Sequence, residues 1–266
     1  MASEVWALGA AYDAYMGRWS RLVAQRFVPW LRVPAGGRWL DVGCGTGVLS
    51  ESVMAFANPV EIVGVDKSEG FLDTARAQRP GLRSSFVAAD AQALPFSGRR
   101  FDAVVSGLAL NFVPDPGRAL DELTRVAAWD GVVAAYVWDY AEGMAMIRRF
   151  WDAAAALDPA AVALDEARRF PLCRPESLAA LWRGAGLNQV TTRAIEIPTV
   201  FADFDDFWAP YLGGQGPAPG YVSSLSDEDR DALQGQLRQQ LPAADDGTIR
   251  LTARAWAVQG SIQERP

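Results

Sequence analysis

Histidine is absent from this chain of 266 residues, and its absence excludes several classes of site at once. Without an imidazole there is no usual zinc ligand, no Ser/His/Asp or Cys/His catalytic set, and no side chain whose ordinary pKa lies near neutrality. The two cysteines, Cys44 and Cys173, lie far apart in sequence, and a chain of this length needs no disulfide framework. We therefore expect two buried thiols and no metal site.

Long apolar runs and blocks of positive charge are also missing. No stretch of roughly 18 apolar residues is free of charge, which predicts that the chain does not span a membrane. The start, Met1-Ala2-Ser3-Glu4, has neither the basic nor the apolar region of a signal peptide, so a cytoplasmic protein is expected. The net charge is −7, and the 25 cationic side chains are scattered among 32 acidic ones, which argues against nucleic acid as a partner.

Short apolar runs alternate with amphipathic windows between about residues 38 and 201, a pattern typical of folds in which helices connect parallel strands. We predict a doubly wound, Rossmann-like α/β fold with a seven-stranded, mostly parallel sheet. Nearly continuous apolar runs indicate strands buried on both faces, whereas alternating runs suit a sheet edge. The continuous runs, expected inside the sheet, are 38–42, 60–65, 83–88, 101–106 and 132–138, and the alternating runs, expected at its edges, are 190–197 and 248–258.

Half of the residues are hydrophobic, so the chain can bury one large core, and we expect a single domain over 1–266. A long connection between two sheet strands is typical of a lid. The aromatic residues of this connection recur at helical spacing, which indicates a packed core more often than a substrate wall. The expected parts are an N-terminal helical cover (1–34), a cofactor-binding core (35–200) with a helical insertion near 141–173, an aromatic lid connection (201–245) and the last strand (246–260).

Residues 41–47 read Asp-Val-Gly-Cys-Gly-Thr-Gly and lie between a predicted strand and a predicted helix. Glycines at three alternate positions remove every Cβ from one side of the loop, so that a ligand can approach the backbone closely. The start of the following helix adds free amide donors and a positive dipole end. This loop therefore predicts a site where a ligand lies close to the backbone.

Two carboxylates are expected at the same edge of the sheet. Asp66 ends the second predicted strand and Asp90 the third, and the carboxyl ends of strands in an open α/β sheet are where ligands bind. Asp66 lies 19 residues after Gly47, close to the separation of the acid that binds ribose hydroxyls in nucleotide folds. Each feature alone is also explained by a plain turn or a helix cap, but together they predict a ligand that contains adenosine.

At these residues the chain resembles the class I S-adenosylmethionine-dependent methyltransferases of type 11, the group that includes the ubiquinone and menaquinone biosynthesis methyltransferases. The resemblance covers roughly 12–140 and, more loosely, the last strand. It is carried by the glycine loop, Gly64-Val65-Asp66, Asp90-Ala91 with Leu94-Pro95-Phe96, and Phe101-Asp102-Ala103-Val104-Val105.

The resemblance implies S-adenosylmethionine as the cofactor and a role for each matching residue. Asp41 and Gly43 would flank its methionine part, Asp66 would hold the ribose, and Asp90 with Ala91 would contact the adenine. Ser106 to Leu108 would line the side of the methyl donor. The element Tyr15-Met16-Gly17-Arg18-Trp19 would place Tyr15 and Arg18 near the cofactor carboxylate, although a docking helix with a surface arginine is the alternative. The implied cofactor-binding residues are Tyr15, Arg18, Asp41, Gly43, Cys44, Gly45, Gly47, Asp66, Lys67, Asp90, Ala91, Ser106, Gly107 and Leu108.

An NAD-dependent dehydrogenase is the nearest competitor on the same fold. Its GxGxxG fingerprint would require a glycine three residues after Gly45, and Val48 stands there. The third glycine permits close packing of helix and strand in dinucleotide-binding proteins. Its absence, together with Asp41 two residues before Gly43, favours the methyl donor.

Methyl transfer from a sulfonium is an in-line displacement, for which the protein mainly aligns the acceptor and excludes water. We predict a small, apolar or aromatic acceptor. Asn111 and Asp139 follow the fourth and fifth predicted strands and are the catalytic candidates; a turn for Asn111 and an ion pair for Asp139 are the structural alternatives. A protein that binds S-adenosylmethionine without catalysis is the alternative from another functional class.

Overall fold

The computed structural model describes residues 17–78, 83–213 and 216–263. It contains a seven-stranded sheet with helices between the strands. The strands are β1 (Arg38–Val42), β2 (Glu61–Asp66), β3 (Ser84–Ala88), β4 (Phe101–Gly107), β5 (Ala127–Trp138), β6 (Asn188–Phe201) and β7 (Ile249–Ser261), and their order in the sheet is β3-β2-β1-β4-β5-β7-β6. The predicted seven-stranded, doubly wound fold is confirmed.

The strand directions place the carboxyl ends of β1 and β4 next to each other, at the middle of the edge where the parallel strands end. β1 pairs in parallel with both β2 and β4, β2 with β3, and β4 with β5. β7 runs antiparallel to β5. Asp130 N–H donates to the Ile262 carbonyl at 2.9 Å and Asp139 N–H donates to the Arg254 carbonyl at 2.9 Å, so the partner number falls as the number along β5 rises. The strand order reverses between β1 and β4, and in such sheets ligands bind at this switch point.

The predicted positions of β3 and β7 are wrong, whereas the edge position of β6 is confirmed. β3 forms an edge of the sheet and β7 lies between β5 and β6. Alternation in β7 reflects one buried face, where Ala253 and Ala255 are fully buried. The alternation carries no information on backbone pairing, and β7 pairs with β5 on one side and with β6 on the other. Conversely, β3 is short and buries only Phe86, although its sequence is apolar enough to be predicted inside.

The helices follow the start signals of the sequence. Asp115 caps the helix that begins at Pro116, with its side chain accepting from Arg118 N–H at 3.0 Å, and Ser68 Oγ accepts from Phe71 N–H at 3.3 Å. Of the helices described, none is long and apolar enough to cross a membrane. Their bounds are α1 (Arg18–Leu31), α2 (Val48–Phe56), α3 (Glu69–Gln78), α4 (Pro116–Val126), α5 (Ala145–Leu157), α6 (Glu166–Arg169), α7 (Pro175–Gly184), α8 (Phe204–Trp208), α9 (Pro217–Ser224) and α10 (Asp227–Gln240).

The described residues form two compact units. The glycine-loop unit comprises 20–137, 172–195 and 255–263 outside the gap at 79–82, and it contains the whole of β1 to β4. The aromatic unit comprises 17–19, 138–171 and 196–254 outside the gap at 214–215, and it contains α5, α6 and α8 to α10. The single domain predicted for 1–266 stays a prediction.

The core of the aromatic unit is a cluster of packed aromatic rings. Phe150 on α5 stacks on Tyr211 with ring centroids 4.6 Å apart, and Tyr211 lies 5.6 Å from Phe207. Trp151 contacts Tyr221 at 5.8 Å. All five rings are buried. These side chains therefore form a packed core within the unit, which was the alternative for the aromatic connection, whereas its role as a lid stays a prediction.

Candidate functional site

Positive backbone φ angles at all three glycines shape the loop after β1. The φ values are 72° at Gly43, 52° at Gly45 and 85° at Gly47, in the left-handed region that side chains rarely adopt. A Cβ at Gly43 would lie 2.4 Å from the Cβ of Ala109, so this glycine is also required by close packing. At Gly45 no described atom lies within 4 Å of the position that a Cβ would occupy, which leaves that side of the loop open to a ligand.

Backbone hydrogen bonds fix the loop against the end of β2. The amides of Gly43 and Cys44 both donate to the Val65 carbonyl, at 2.8 and 2.9 Å. Gly47 N–H donates to the Cys44 carbonyl at 2.8 Å. Within the described part of the chain, α2 begins at Val48, and the preceding Gly47 provides no side-chain cap. The amides of the first turn therefore provide donors and partial positive charge.

Asp66 is joined directly to the glycine loop. Its Oδ2 accepts from Gly45 N–H at 2.9 Å and its Oδ1 from Ser68 N–H at 2.9 Å. Burial raises the pKa of the Asp66 carboxyl, while the backbone amides of Ser68, Gly45 and Lys67 act in the opposite direction. A carboxylate offers about four lone-pair sites, so three amides leave capacity for a ligand hydroxyl.

Asp90 and Lys67 form an ion pair between the loops that follow β3 and β2. Lys67 Nζ lies 2.9 Å from Asp90 Oδ2, and the lysine side chain is 66% exposed. The Gln92 amide and Lys67 lower the pKa of Asp90 to about 2, so its carboxylate is ionised at neutral pH. The structure thus brings together two residues that were predicted on separate loops. Ala91 follows Asp90 and is half-buried.

Gln92 is a member of this loop that sequence reasoning missed. Its N–H donates to Asp90 Oδ1 at 2.9 Å, and its Oε1 accepts from Asp115 N–H at 3.2 Å. Its carbonyl accepts from Arg118 Nε at 3.1 Å. Gln92 therefore ties the loop after β3 to the start of α4. The only feature of the sequence that could have indicated this role is the position of Gln92 two residues after Asp90.

The end of β4 is packed tightly against Tyr136 of β5. A Cβ at Gly107 would lie 2.6 Å from the Tyr136 hydroxyl oxygen, so no larger residue fits there. Leu108 adopts a φ of 59°, an uncommon conformation for a residue with a side chain, and its N–H donates to the Tyr136 carbonyl at 2.8 Å. Ser106 is buried. Tyr136 was not among the predicted site residues.

Asn111 lies in a 3-10 turn, Leu110–Phe112, directly after this bend. The turn begins at Ala109, whose Cβ faces Gly43 of the glycine loop. Among the residues that the structure describes, the buried Nδ2 of Asn111 has no hydrogen-bond partner. The carboxyl ends of β1 and β4 therefore bring the glycine loop and this amide to the same edge.

Two predicted residues turn their side chains into the core. Asp41 is fully buried and accepts from Ser50 Oγ at 2.7 Å, which ties β1 to α2. Cys44 packs with Leu72 and Phe86, and its thiol donates to the Gly45 carbonyl at 3.8 Å. Cys44 and Cys173 are both buried, as predicted, and no disulfide joins these two residues.

Arg18 and Asp139 belong to the aromatic unit, where each is engaged with an oppositely charged side chain. Arg18 Nη1 lies 3.0 Å from Asp206 Oδ1, and its guanidinium lies over the Trp19 ring at 4.4 Å. Asp139 is buried 3.3 Å from Arg254 Nη1, which is the ion pair that was the structural alternative for this residue. Tyr15 lies outside the described residues.

Glu166 is a buried acid of the aromatic unit that the sequence did not reveal. The Trp151 indole N–H donates to its carboxylate, and burial raises its pKa to about 7. The neighbouring Asp165 raises the pKa further, and Arg148, which pairs with Asp165 at 2.8 Å, lowers it. An Asp-Glu pair before a short helix is typical of a helix cap, so no pattern distinguished Glu166.

The edge formed by the glycine loop, Asp66 and Asp90 fits an adenosyl ligand. The open side at Gly45 admits a ligand close to the backbone, Asp66 can accept from a hydroxyl, and the start of α2 provides donors for a carboxylate. All of these groups lie in one unit. No metal is needed for this arrangement.

Comparisons with known proteins agree with this geometry. Residues 40–135 match the family model of a methyltransferase domain. A demethylmenaquinone methyltransferase of Roseiflexus castenholzii is 33% identical over 177 residues, which cover 61% of this chain and 72% of that protein. One of Renibacterium salmoninarum is 39% identical over 121 residues, which cover 45% and 48%.

Solved structures share the fold. The YcgJ protein from Bacillus subtilis aligns with a TM-score of 0.60 and 18% identity, over 91% of this chain and 99% of that chain. A phosphoethanolamine N-methyltransferase from Haemonchus contortus, in complex with phosphomonomethylethanolamine and S-adenosylhomocysteine, aligns with a TM-score of 0.59 and 17% identity, over 96% and 57%.

Proposed function

We propose that this chain, which belongs to the class I S-adenosylmethionine-dependent methyltransferases, transfers a methyl group to a small aromatic acceptor of the quinol or phenol type. The hydrogen bond from Gly45 N–H to Asp66 carries the proposal, because it unites the glycine loop and the acid of β2 in one binding site. S-adenosylmethionine supplies an activated methyl group on a positively charged sulfur.

The residues of the glycine-loop unit divide the binding of this cofactor among them. Asp66, held by the backbone amides of Gly45 and Ser68, accepts from the ribose, and Asp90 with Ala91 contacts the adenine. The glycine loop and the start of α2 face the methionine part. Asp41 acts through Ser50, by fixing the helix to β1, and is a positioning residue in this proposal. The roles predicted for Tyr15 and Arg18 stay predictions.

The acceptor side is the carboxyl end of β4, around Ser106, Gly107 and Leu108. The contacts with Tyr136 hold this segment in one conformation, which aligns an acceptor without a mobile loop. Two relatives are named demethylmenaquinone methyltransferases, which supports an aromatic acceptor with oxygen substituents. The chain holds no histidine, so an imidazole does not remove a proton from that oxygen.

Calorimetric titration with S-adenosylmethionine, S-adenosylhomocysteine and NAD tests the cofactor site. Asp66→Ala should weaken both adenosyl ligands about ten- to hundredfold, because a hydrogen bond to a charged group contributes roughly 1.5–3 kcal/mol. NAD should not bind. Asp73→Ala removes an exposed carboxylate on α3 of the same unit, and this control should bind both ligands like the wild type.

A panel of phenols, quinols and amines then tests the transfer. We expect methylated product from the phenols or quinols, detected by mass spectrometry. Binding of both adenosyl ligands with no product from any acceptor would favour a binding protein without catalysis. Binding of NAD in place of the adenosyl ligands would contradict the proposal and favour a dehydrogenase.

A further inference from the structure

The buried side-chain amide of Asn111 is a donor that no described residue uses. Its Nδ2 has no hydrogen-bond partner within the described ranges, although buried polar groups nearly always have one. Such a group costs stability, because it has lost its hydrogen bonds to water without replacing them. The presence of this donor at the carboxyl end of β4 is explained if a ligand supplies the missing hydrogen-bond acceptor.

The turn that carries Asn111 is held in one conformation from both sides. Leu108 is fixed in the left-handed region by its bond to the Tyr136 carbonyl, and Ala109 packs against Gly43. Phe112 N–H donates to the Ala109 carbonyl at 3.0 Å, which closes the turn. The backbone that carries the amide is thus held in one conformation.

Two other buried polar atoms of the glycine-loop unit do not share this location. Trp39 Nε1 and Thr124 Oγ1 also lack a partner in the described part of the chain. Trp39 is the second residue of β1, near its amino end, and Thr124 lies in the last turn of α4. Neither is at the carboxyl edge, where the ligand binds. Location therefore distinguishes Asn111 from these two residues.

We infer that Asn111 Nδ2 donates a hydrogen bond to the phenolic oxygen of the acceptor and stabilises its ionised form. The inference rests on the proposed function and adds a residue that contacts the acceptor. The step is a proton transfer: the O–H bond breaks, the proton goes to solvent water, and the electron pair stays on the oxygen. A hydrogen bond to the charged form lowers the pKa of the group that accepts it.

A chromophoric phenol measures this effect without turnover. We propose to titrate 4-nitrophenol with protein loaded with S-adenosylhomocysteine, and to follow the absorbance of the phenolate against pH. In the wild type, the pKa of the bound probe should lie below its value in water. Asn111→Leu, which has nearly the same size and no donor, should raise it by about one to two pH units. Asn188→Leu, at the start of β6 in the same unit, is the matched control and should leave it unchanged.

Activity and stability add two independent readouts. With a phenol that the wild type methylates, Asn111→Leu should lower kcat about ten- to hundredfold below the pKa of the bound phenol, and progressively less above it, where the phenol is already ionised in the complex. Urea unfolding of Asn111→Leu should give a stability at least equal to that of the wild type, because an unsatisfied buried donor is removed.

The outcomes separate the inference from the proposed function. If the wild type binds no adenosyl ligand, the proposed function fails. If it binds the adenosyl ligand and forms product but Asn111→Leu matches the Asn188→Leu control, the inference alone is overturned. Failure of 4-nitrophenol to bind the loaded wild type would also overturn it, as would a loss of stability in Asn111→Leu, which would reveal a structural role for the amide.

Discussion

Replacement of Glu166 by glutamine should stabilise the protein at neutral pH and leave its stability unchanged in acid. The carboxyl of Glu166 is buried in the aromatic unit, and burial raises its pKa from 4.5 to about 7. The charged groups that act on it are Asp165 and Arg148. Glutamine has the same shape and keeps an oxygen that accepts from the Trp151 indole N–H. The substitution therefore removes the charge while the hydrogen bond remains.

The sign and size of the effect follow from this pKa. Between pH 4.5 and 7 the folded state binds a proton that the unfolded state has released, so the wild type loses stability as the pH rises through this window. Above pH 7 the loss is complete. A rise in pKa from 4.5 to about 7 corresponds to about 3 kcal/mol. Glu166→Gln should therefore exceed the wild type by about this amount at pH 8 and by nearly nothing at pH 4.

Urea unfolding followed by tryptophan fluorescence at several pH values measures this difference. Asp152→Asn removes an exposed carboxylate from α5 of the same unit, and this control should change the free energy of unfolding little at any pH. A difference between Glu166→Gln and the wild type that is the same at pH 4 and pH 8 would refute the reasoning. A less stable variant at pH 8 would refute it too, since it would show that the ionised carboxylate is favourable where it lies.

Two further predictions concern the glycine loop and its neighbour. Gly45→Ala should lower the free energy of unfolding by about 1–2 kcal/mol, which is the cost of placing a residue with a Cβ in the left-handed conformation. Gly43→Ala should lower it more, because the new Cβ would also clash with Ala109. Equal losses for the two variants in urea unfolding would contradict this prediction. Lys67 is the only lysine of the chain, so the acylation of its side chain can be followed by peptide mass mapping. Bound S-adenosylhomocysteine should slow this acylation. An unchanged rate would place the ligand away from the Asp90–Lys67 pair.

The sequence predicts those features whose cause is local. The strand, glycine loop and helix from Arg38 to Phe56 form because apolar residues, glycines and a helix start follow one another directly. The joining of Gly45 to Asp66 follows from the rule that parallel strands end at one edge. The position of β7 did not follow, because its alternating pattern reports which face is buried and not which strands are its neighbours.

The features of the structure that the sequence did not predict depend on contacts between distant parts of the chain. Gly107 is required because the Tyr136 hydroxyl fills the space of a side chain, and nothing in either residue alone indicates this. Leucine normally avoids the conformation of Leu108, so its bend could not be predicted from residue type. Glu166 acquires its unusual pKa from burial among aromatic side chains, which is a property of the folded unit.

The segment matched by the family model explains which properties this chain shares with its relatives. Residues 40–135 lie entirely within the glycine-loop unit, where most contacts expected to hold the cofactor loops are made by backbone amides, such as those of Gly45, Ser68 and Gln92. Backbone contacts tolerate changes of side chain, so the cofactor site persists at low sequence identity. The aromatic unit lies outside the matched segment. We therefore expect cofactor binding to agree with that of the relatives.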